Sequence, residues 1–239
     1  MTNDEGRAGG EMEVQGGFLQ SILDIFIDPM KVFHRIRGGL TWWKPFVLAA
    51  AVGVLNAYLT MPFAIKRIEL NPRDLSPEQL EASIEQVEKF GFVGLIITPV
   101  IFILIYLIMA GVAHIAINIM SSESDFRKTL SLVSYTGLIS ILGQIITTVI
   151  LRMRGLENIE TMEDMRVSLS LAAFFPDLKG VGYAFLESLS IFSIWYYILF
   201  LLGTAVIFRM SRSRALVPVV IMWLLSFVFA SLGSLFGGM

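Results

Sequence analysis

The stretch Tyr183–Phe208 constrains this chain more than any other. After Glu187 it runs twenty-one residues without a charge, and Arg209, Arg212 and Arg214 follow at once with no acidic neighbour. An α-helix rises about 1.5 Å per residue, so about twenty apolar residues cross the ~30 Å hydrocarbon core of a bilayer. Composition agrees: 55% of the 239 residues are hydrophobic and 16% are charged, where a soluble domain is nearer a quarter charged. The expected fold class is therefore all-α, a polytopic integral membrane protein. It is a bundle of five transmembrane helices preceded by an N-terminal interfacial amphipathic helix.

The spacing of apolar runs places the spans at about 45–65, 91–120, 129–151, 187–208 and 216–235. Residues 1–16 are polar and glycine-bearing and are expected to be disordered, leaving 17–239 as a single membrane domain. Phe18, Ile22, Ile25 and Phe26 share a helical face, and Asp28-Pro29 sets an aspartate at a cap with proline at the first helical position. Met30, Phe33 and Ile36 then alternate with Lys31, Arg35 and Arg37. Such a segment either lies among lipid headgroups or packs on the protein's own spans, and the pattern leaves both open. Trp42-Trp43-Lys44-Pro45 forms an interfacial belt. Ala49, Gly53 and Ala57 make a small-residue stripe that admits a close neighbour.

In the first connection Ser76-Pro77-Glu78-Gln79 has the capping-box pattern and predicts a short helix. The second span is expected to tilt, or to kink near Pro99. On it Tyr106, Ala110, His114 and Asn118 recur every four residues; on the third, Thr136, Ser140, Gln144 and Thr148 do the same. Both polar stripes should face partner helices. In the loop 152–182, Thr161-Met162-Glu163-Asp164 predicts a further short helix, and the run Ser168–Phe175 is too short to span.

Basic residues near the span ends, above all Arg209, Arg212 and Arg214, predict a cytoplasmic N-terminus and an extracytoplasmic C-terminus. No cleavable signal peptide is expected, because the N-terminal residues are polar. The formal net charge of −2 and the lack of a basic stripe argue against a nucleic-acid partner. There are no cysteines and two histidines, so thiolate chemistry is excluded and no metal or other cofactor is expected.

Several pieces in order resemble the Yip (Ypt-interacting protein) domain family of five-span membrane proteins, in particular its prokaryotic branch. They are Asp28-Pro29 with Phe33 and Ile36, the Trp42–Pro45 entry, Phe126-Arg127-Lys128 leading to Ser134-Tyr135, and Phe192-Ser193-Ile194-Trp195. Gly203, the basic turn Ser211–Ala215 and Trp223 complete the set. The resemblance covers most of the chain from about residue 18 and implies a helical protein of the prokaryotic cytoplasmic (inner) membrane. Eukaryotic relatives act in vesicle traffic and bind small prenylated GTPases, and they carry a longer cytoplasmic N-terminal region. Such a partner follows here only by distant family analogy.

The candidate intramembrane polar site comprises Glu187, Gln144, His114, Asn118 and Tyr135. Glu187 is the one carboxylate set into a long apolar run, where a charge is costly and points to function; near a span end, water and the helix start satisfy it equally well. His114 is either a proton relay or half of an interhelical pair with Tyr135, which lies equally far from the intervening turn. The pair is the expectation. Ala49, Gly53, Ala57 and Gly203 are the expected helix-packing positions. Expected partners are the lipid bilayer and other membrane proteins or a second copy. Two function classes follow: a non-catalytic membrane organiser or adaptor, not an enzyme, and a small-solute or ion pathway or transporter accessory subunit. A cavity joining Gln144, Glu187 and His114 would favour the second.

Overall fold

The computed structural model describes residues 17–72, 75–121, 123–175, 177–178 and 180–237, with side chains up to Ser231. Segment 1–16, expected to be disordered, lies outside these residues. The described residues form helices α1 (Phe18–Ile27), α2 (Pro29–Arg37), α3 (Trp43–Leu70), α4 (Pro77–Met120), α5 (Phe126–Arg154), α6 (Gly180–Ser188), α7 (Ile191–Ile207) and α8 (Arg212–Gly237). Single 3-10 turns sit at Leu156–Asn158 and Leu171–Phe174. There is no strand among the described residues. The all-helical reading stands, with one refinement: α3, α4, α5 and α8 are long and apolar enough to cross a bilayer, whereas α7 has seventeen residues.

The helix α5 is central. Thr129–Thr136 are buried without interruption, and α5 packs on α3, α4 and α7. Its hydroxyls fold back on its own carbonyls, as Thr136 Oγ1 does to Leu132 O at 2.7 Å. Hydroxyls satisfied in this way let helices pack tightly with polar side chains at the contact.

The amphipathic segment packs on the protein's own spans. Val32, Phe33 and Ile36 are fully buried as α2 packs on α7 and α5. The opposite edge of α1 keeps Leu19, Leu23 and Ile27 exposed. Between the helices Asp28 occupies the cap position and Pro29 the first turn, but the Asp28 carboxylate pairs with Lys31 at 3.0 Å instead of capping. Arg35 bonds Asp24 at 2.6 Å and Ser21 Oγ at 3.1 Å. The two charged side chains are only 7% and 14% exposed. Separating them would leave a buried charge, so the pair fixes the angle between α1 and α2.

Two expected short helices turn out otherwise. The capping box at Ser76 is present, with Gln79 N donating to Ser76 Oγ at 3.3 Å and Ser76 N to Gln79 Oε1 at 2.9 Å. The helix it starts does not stop at Lys89. It runs unbroken through Pro99 to Met120, forty-four residues in all. The Thr161–Asp164 pattern gives a turn and no helix. Asp164 Oδ2 accepts from Thr161 Oγ1, Thr161 N and Glu160 N, contacts that hold its carboxyl below its usual pKa. The Arg154 guanidinium then draws the carbonyls of Asp164 and Arg166 onto the end of α5. Met165 is pulled into a cluster with Phe63, Leu151 and Ile159.

Glycines act as notches for rings from other helices. A Cβ on Gly53 would lie 2.6 Å from the Phe102 ring, and one on Gly143 would lie 2.9 Å from Phe192. One on Gly203 would strike Leu132 and meet the Phe33 ring at 2.9 Å. Ala49 is fully buried beside the first notch and Ala57 half-buried. Gly53→Leu should therefore destabilise the protein by about 1–3 kcal/mol, as over-packed cores do. Leu55→Ala, at a position 55% exposed, should leave thermal melting in detergent nearly unchanged. Equal melting of the two variants would show that the Phe102 notch does not hold α3 to α4.

Candidate functional site

The apolar run Tyr183–Phe208 is not one helix. α6 stops at Ser188 and α7 starts at Ile191, so Glu187 sits at a break and not inside a span. The local cause is a serine triplet, each with an alternative to helical hydrogen bonding. Ser193 N donates to Ser190 Oγ at 3.0 Å, an N-cap for α7. Ser193 Oγ donates to the carbonyls of Ser188 at 2.7 Å and Ser190 at 2.9 Å. The groups orphaned by the break are taken by the loop before α6. Leu171 N donates to Leu189 O at 3.4 Å and Ile191 N to Leu169 O at 3.2 Å, an antiparallel bridge joining Ser170 to Ser190.

Side chains from the loop also reach the acid. Ser168 Oγ and Ser170 Oγ donate to Glu187 Oε2 at 2.9 and 2.6 Å. Ser170 Oγ in turn accepts from Ala172 N at 3.1 Å, starting the 3-10 turn. No basic side chain pairs with Glu187 among the described residues. The nearby Arg166 guanidinium lies instead over the Tyr183 ring, 5.3 Å from its centre.

Beside the break opens a cavity of about 390 Å³. α3 contributes Asn56 and Thr60; α5 contributes Ser140, Gln144, Thr147 and Thr148. The break supplies Glu187, Ser190 and Ser193, while Leu151, Val167, Leu169 and Phe192 form the apolar part. The side-chain amide oxygen of Asn56, Oδ1, accepts from Thr148 Oγ1 across the α3–α5 contact. Gln144 is exposed to the cavity and makes no hydrogen bond among the described residues. The lining is thus rich in hydroxyls and amides around a single carboxylate.

Of the expected site residues the structure brings together Glu187 and Gln144 alone. His114 does not line the cavity: its Nδ1 lies 3.5 Å from Thr129 Oγ1 and its ring meets Phe126 edge-on. The expected His114–Tyr135 pair does not form. Tyr135 is fully buried and its hydroxyl has no hydrogen-bond partner among the described residues. Equal distance from a turn matches depth but not azimuth, and residue 135 points to a different side of α5 from residue 129. Asn118 Oδ1 accepts from Ser124 Oγ at 2.6 Å and closes the α4–α5 turn. The sequence reading missed Asn56, Ser168, Ser170, Ser190 and Ser193. The signal present was an asparagine within a span and serines at every second position. No group of three or more metal-ligating side chains occurs among the described residues.

Comparison with known proteins gives a consistent picture. The model of the Yip1 domain matches residues 23–233. Among curated proteins, membrane protein YknW of Bacillus subtilis is similar, 26% identical over 231 residues, covering 92% of this chain and 90% of that one. No solved structure matches significantly.

The Ser170 hydroxyl serves Glu187 and the 3-10 turn at once. Ser170→Ala should lower stability by about 1–3 kcal/mol, the cost of leaving a buried acceptor short of a donor. Ser188→Ala, whose hydroxyl bonds only the Phe185 carbonyl, should cost much less. Melting curves of both variants in detergent decide the matter, and equal losses would mean that the loop does not depend on Ser170.

Proposed function

Because the chain belongs to the Yip1 domain family, we propose that it is a non-catalytic membrane protein that organises or adapts other membrane proteins through helix packing and partner binding. The observation that carries this reading is the bare flank of α4. Phe92, Ile96, Val100, Leu104 and Ile108 are each exposed by half or more, although α4 packs on α3, α5 and α8 along its other sides. On the same helix nothing lies within 4 Å of the place a Gly94 Cβ would occupy. Thr98 follows four residues on, with its hydroxyl folded onto the Gly94 carbonyl at 2.8 Å. That is the small-xxx-small arrangement that receives a partner helix in lipid.

The chain has no cysteines, so a single thiol can be placed at will. With Ile101→Cys in native membranes, a thiol crosslinker should give a discrete larger species, a homodimer or a complex with another membrane protein. With Leu55→Cys, exposed on α3, it should not. If neither position crosslinks, or both do equally, α4 is not a docking flank and the adaptor reading fails.

The cavity supports a second reading, a small-solute site in a pathway or in a transporter accessory subunit. Its lining descends α5 no further than Ser140, and Leu130–Ile139 below are packed core. A pocket fits that arrangement better than a pore.

The charge distribution supports a cytoplasmic N-terminus and an extracytoplasmic C-terminus, and the bacterial relative supports a prokaryotic cytoplasmic membrane. Ser121 Oγ bonds the Phe208 carbonyl at 3.2 Å, and Ser131 Oγ bonds that of Leu40 at 2.9 Å. These contacts gather Arg37, Lys44, Arg127, Lys128, Arg209, Arg212 and Arg214 at one end of the bundle. The opposite end carries Glu78, Glu81, Glu85 and Glu88 on α4 and Glu157, Glu160 and Glu163 in the loop. Basic residues in short connections stay in the cytoplasm. Reporter fusions after Ser213 should therefore read as cytoplasmic and fusions after Ser83 as external. The reverse pattern would invert the molecule.

A further inference from the structure

We propose that the cavity beside Glu187 binds a primary ammonium group, carried by an aminolipid headgroup or by a free small amine. The inference rests on the cavity of the second reading but asks for binding, not passage. Charge is the first ground. Glu187 is the one carboxylate in the lining, and no Lys or Arg pairs with it among the described residues. Ser168 and Ser170 both bond Oε2, and the Tyr183 side chain also interacts with the carboxylate, so every partner it has among the described residues is a neutral hydroxyl. A half-buried carboxylate with hydroxyl donors but no counter-charge favours a cation.

Hydrogen-bonding capacity narrows the class. An R–NH3+ group offers three donors and accepts nothing. The Glu187 carboxylate, the unpaired Gln144 amide oxygen and the hydroxyls of Ser140 and Thr147 supply acceptors around the space. A quaternary ammonium has no N–H to give and is held by several aromatic faces; this cavity has one ring, Phe192. A divalent metal ion would want more carboxylates than one. Size agrees, since a cavity of about 390 Å³ lies in the usual range for small-ligand sites.

Position makes a lipid headgroup reachable. Ser140 and Gln144 are exposed on α5, and the exposed Ile145 and Val149 adjoin them on the same helix. The polar mouth therefore borders an apolar flank, as a site entered from the bilayer side should.

The test uses the full chain in detergent, with phosphatidylethanolamine, phosphatidylglycerol, phosphatidylcholine, free ethanolamine or sodium chloride as probe. Native mass spectrometry reads retained lipid, and thermal melting reads protection by the free probes. Phosphatidylethanolamine should be retained about tenfold over the other two lipids, the scale of one charge-assisted hydrogen bond. Glu187→Gln should bring the ratio to about one. Thr147→Leu, which fills the cavity without touching the carboxylate, should lower phosphatidylethanolamine retention without a matching loss of melting temperature. Protection by free ethanolamine, lost in Glu187→Gln, without lipid preference assigns the site to a soluble amine. Equal retention of all three lipids with no ethanolamine effect overturns the proposal. So does equal protection by sodium chloride alone, lost in Glu187→Gln, which points to a metal cation. Should Glu187→Gln fail to fold, unchanged preference in Thr147→Leu is the overturning result. Ethanolamine flux into proteoliposomes is read separately, so a missing pathway and a missing site remain distinguishable.

Discussion

A peptide group in apolar surroundings needs a partner for its N–H and carbonyl, and the break between α6 and α7 is where this protein must answer that constraint. A helix interrupted within an apolar run strands carbonyls and N–H groups, each costing several kcal/mol if left bare. Here the serines at 188, 190 and 193 take part of the load, and the loop around Leu169–Leu171 takes the rest. The loop is thereby drawn against α7, its serine hydroxyls meet Glu187, and the carboxylate becomes part of a cavity wall. Without the interruption Glu187 would be an isolated acid on a helix. With it, the residue belongs to a polar constellation built from four separate parts of the chain.

Elsewhere position is set by shape. Each notch glycine faces a ring from another helix: Phe102 on Gly53, Phe192 on Gly143, Phe33 on Gly203. Lipid tails are as apolar as leucine, so burying apolar area does little to join spans, and close fit must supply the attraction. Rings keyed into backbone notches fix sliding and rotation together. Phe33 on Gly203 has an added effect: it fastens α2 to α7, and the Arg35–Asp24 pair then carries α1 along.

What could be read from the residues divides along the same physical lines. Long apolar runs, the tryptophan entry, the Asp28-Pro29 turn and the Ser76–Gln79 cap are local signals, and the structure has each of them. The notch glycines were visible as small residues, but their occupants were not, because a ring from a distant segment leaves no mark nearby. The break at Leu189 was hidden for a similar reason. Serines inside an apolar run read as span, and only the loop's ability to satisfy the freed backbone makes an interruption tolerable. His114 misled by periodicity: four-residue spacing gives a shared face, and the neighbour on that face proved to be Thr129. Residues 157–164 fold as a turn because Arg154 and the Phe63 cluster compete for them, which capping chemistry alone does not foresee.

The helix α4 also has a mechanical side. From Ser76 to Met120 it is a rod of about 66 Å at the usual rise, and its first thirteen residues, as far as Lys89, are mostly polar or charged. Pro99 lacks the N–H that would bond the Leu95 carbonyl, and Gly94 lies just before it without a side chain to stiffen the turn. Bending compliance is therefore concentrated between residues 94 and 99, above the Phe102 and Tyr106 contacts that anchor the rod to α3 and α5. A sideways push on the acidic N-terminal end of α4 is absorbed as flexure at that soft point, and the keyed contacts beyond it are spared the torque.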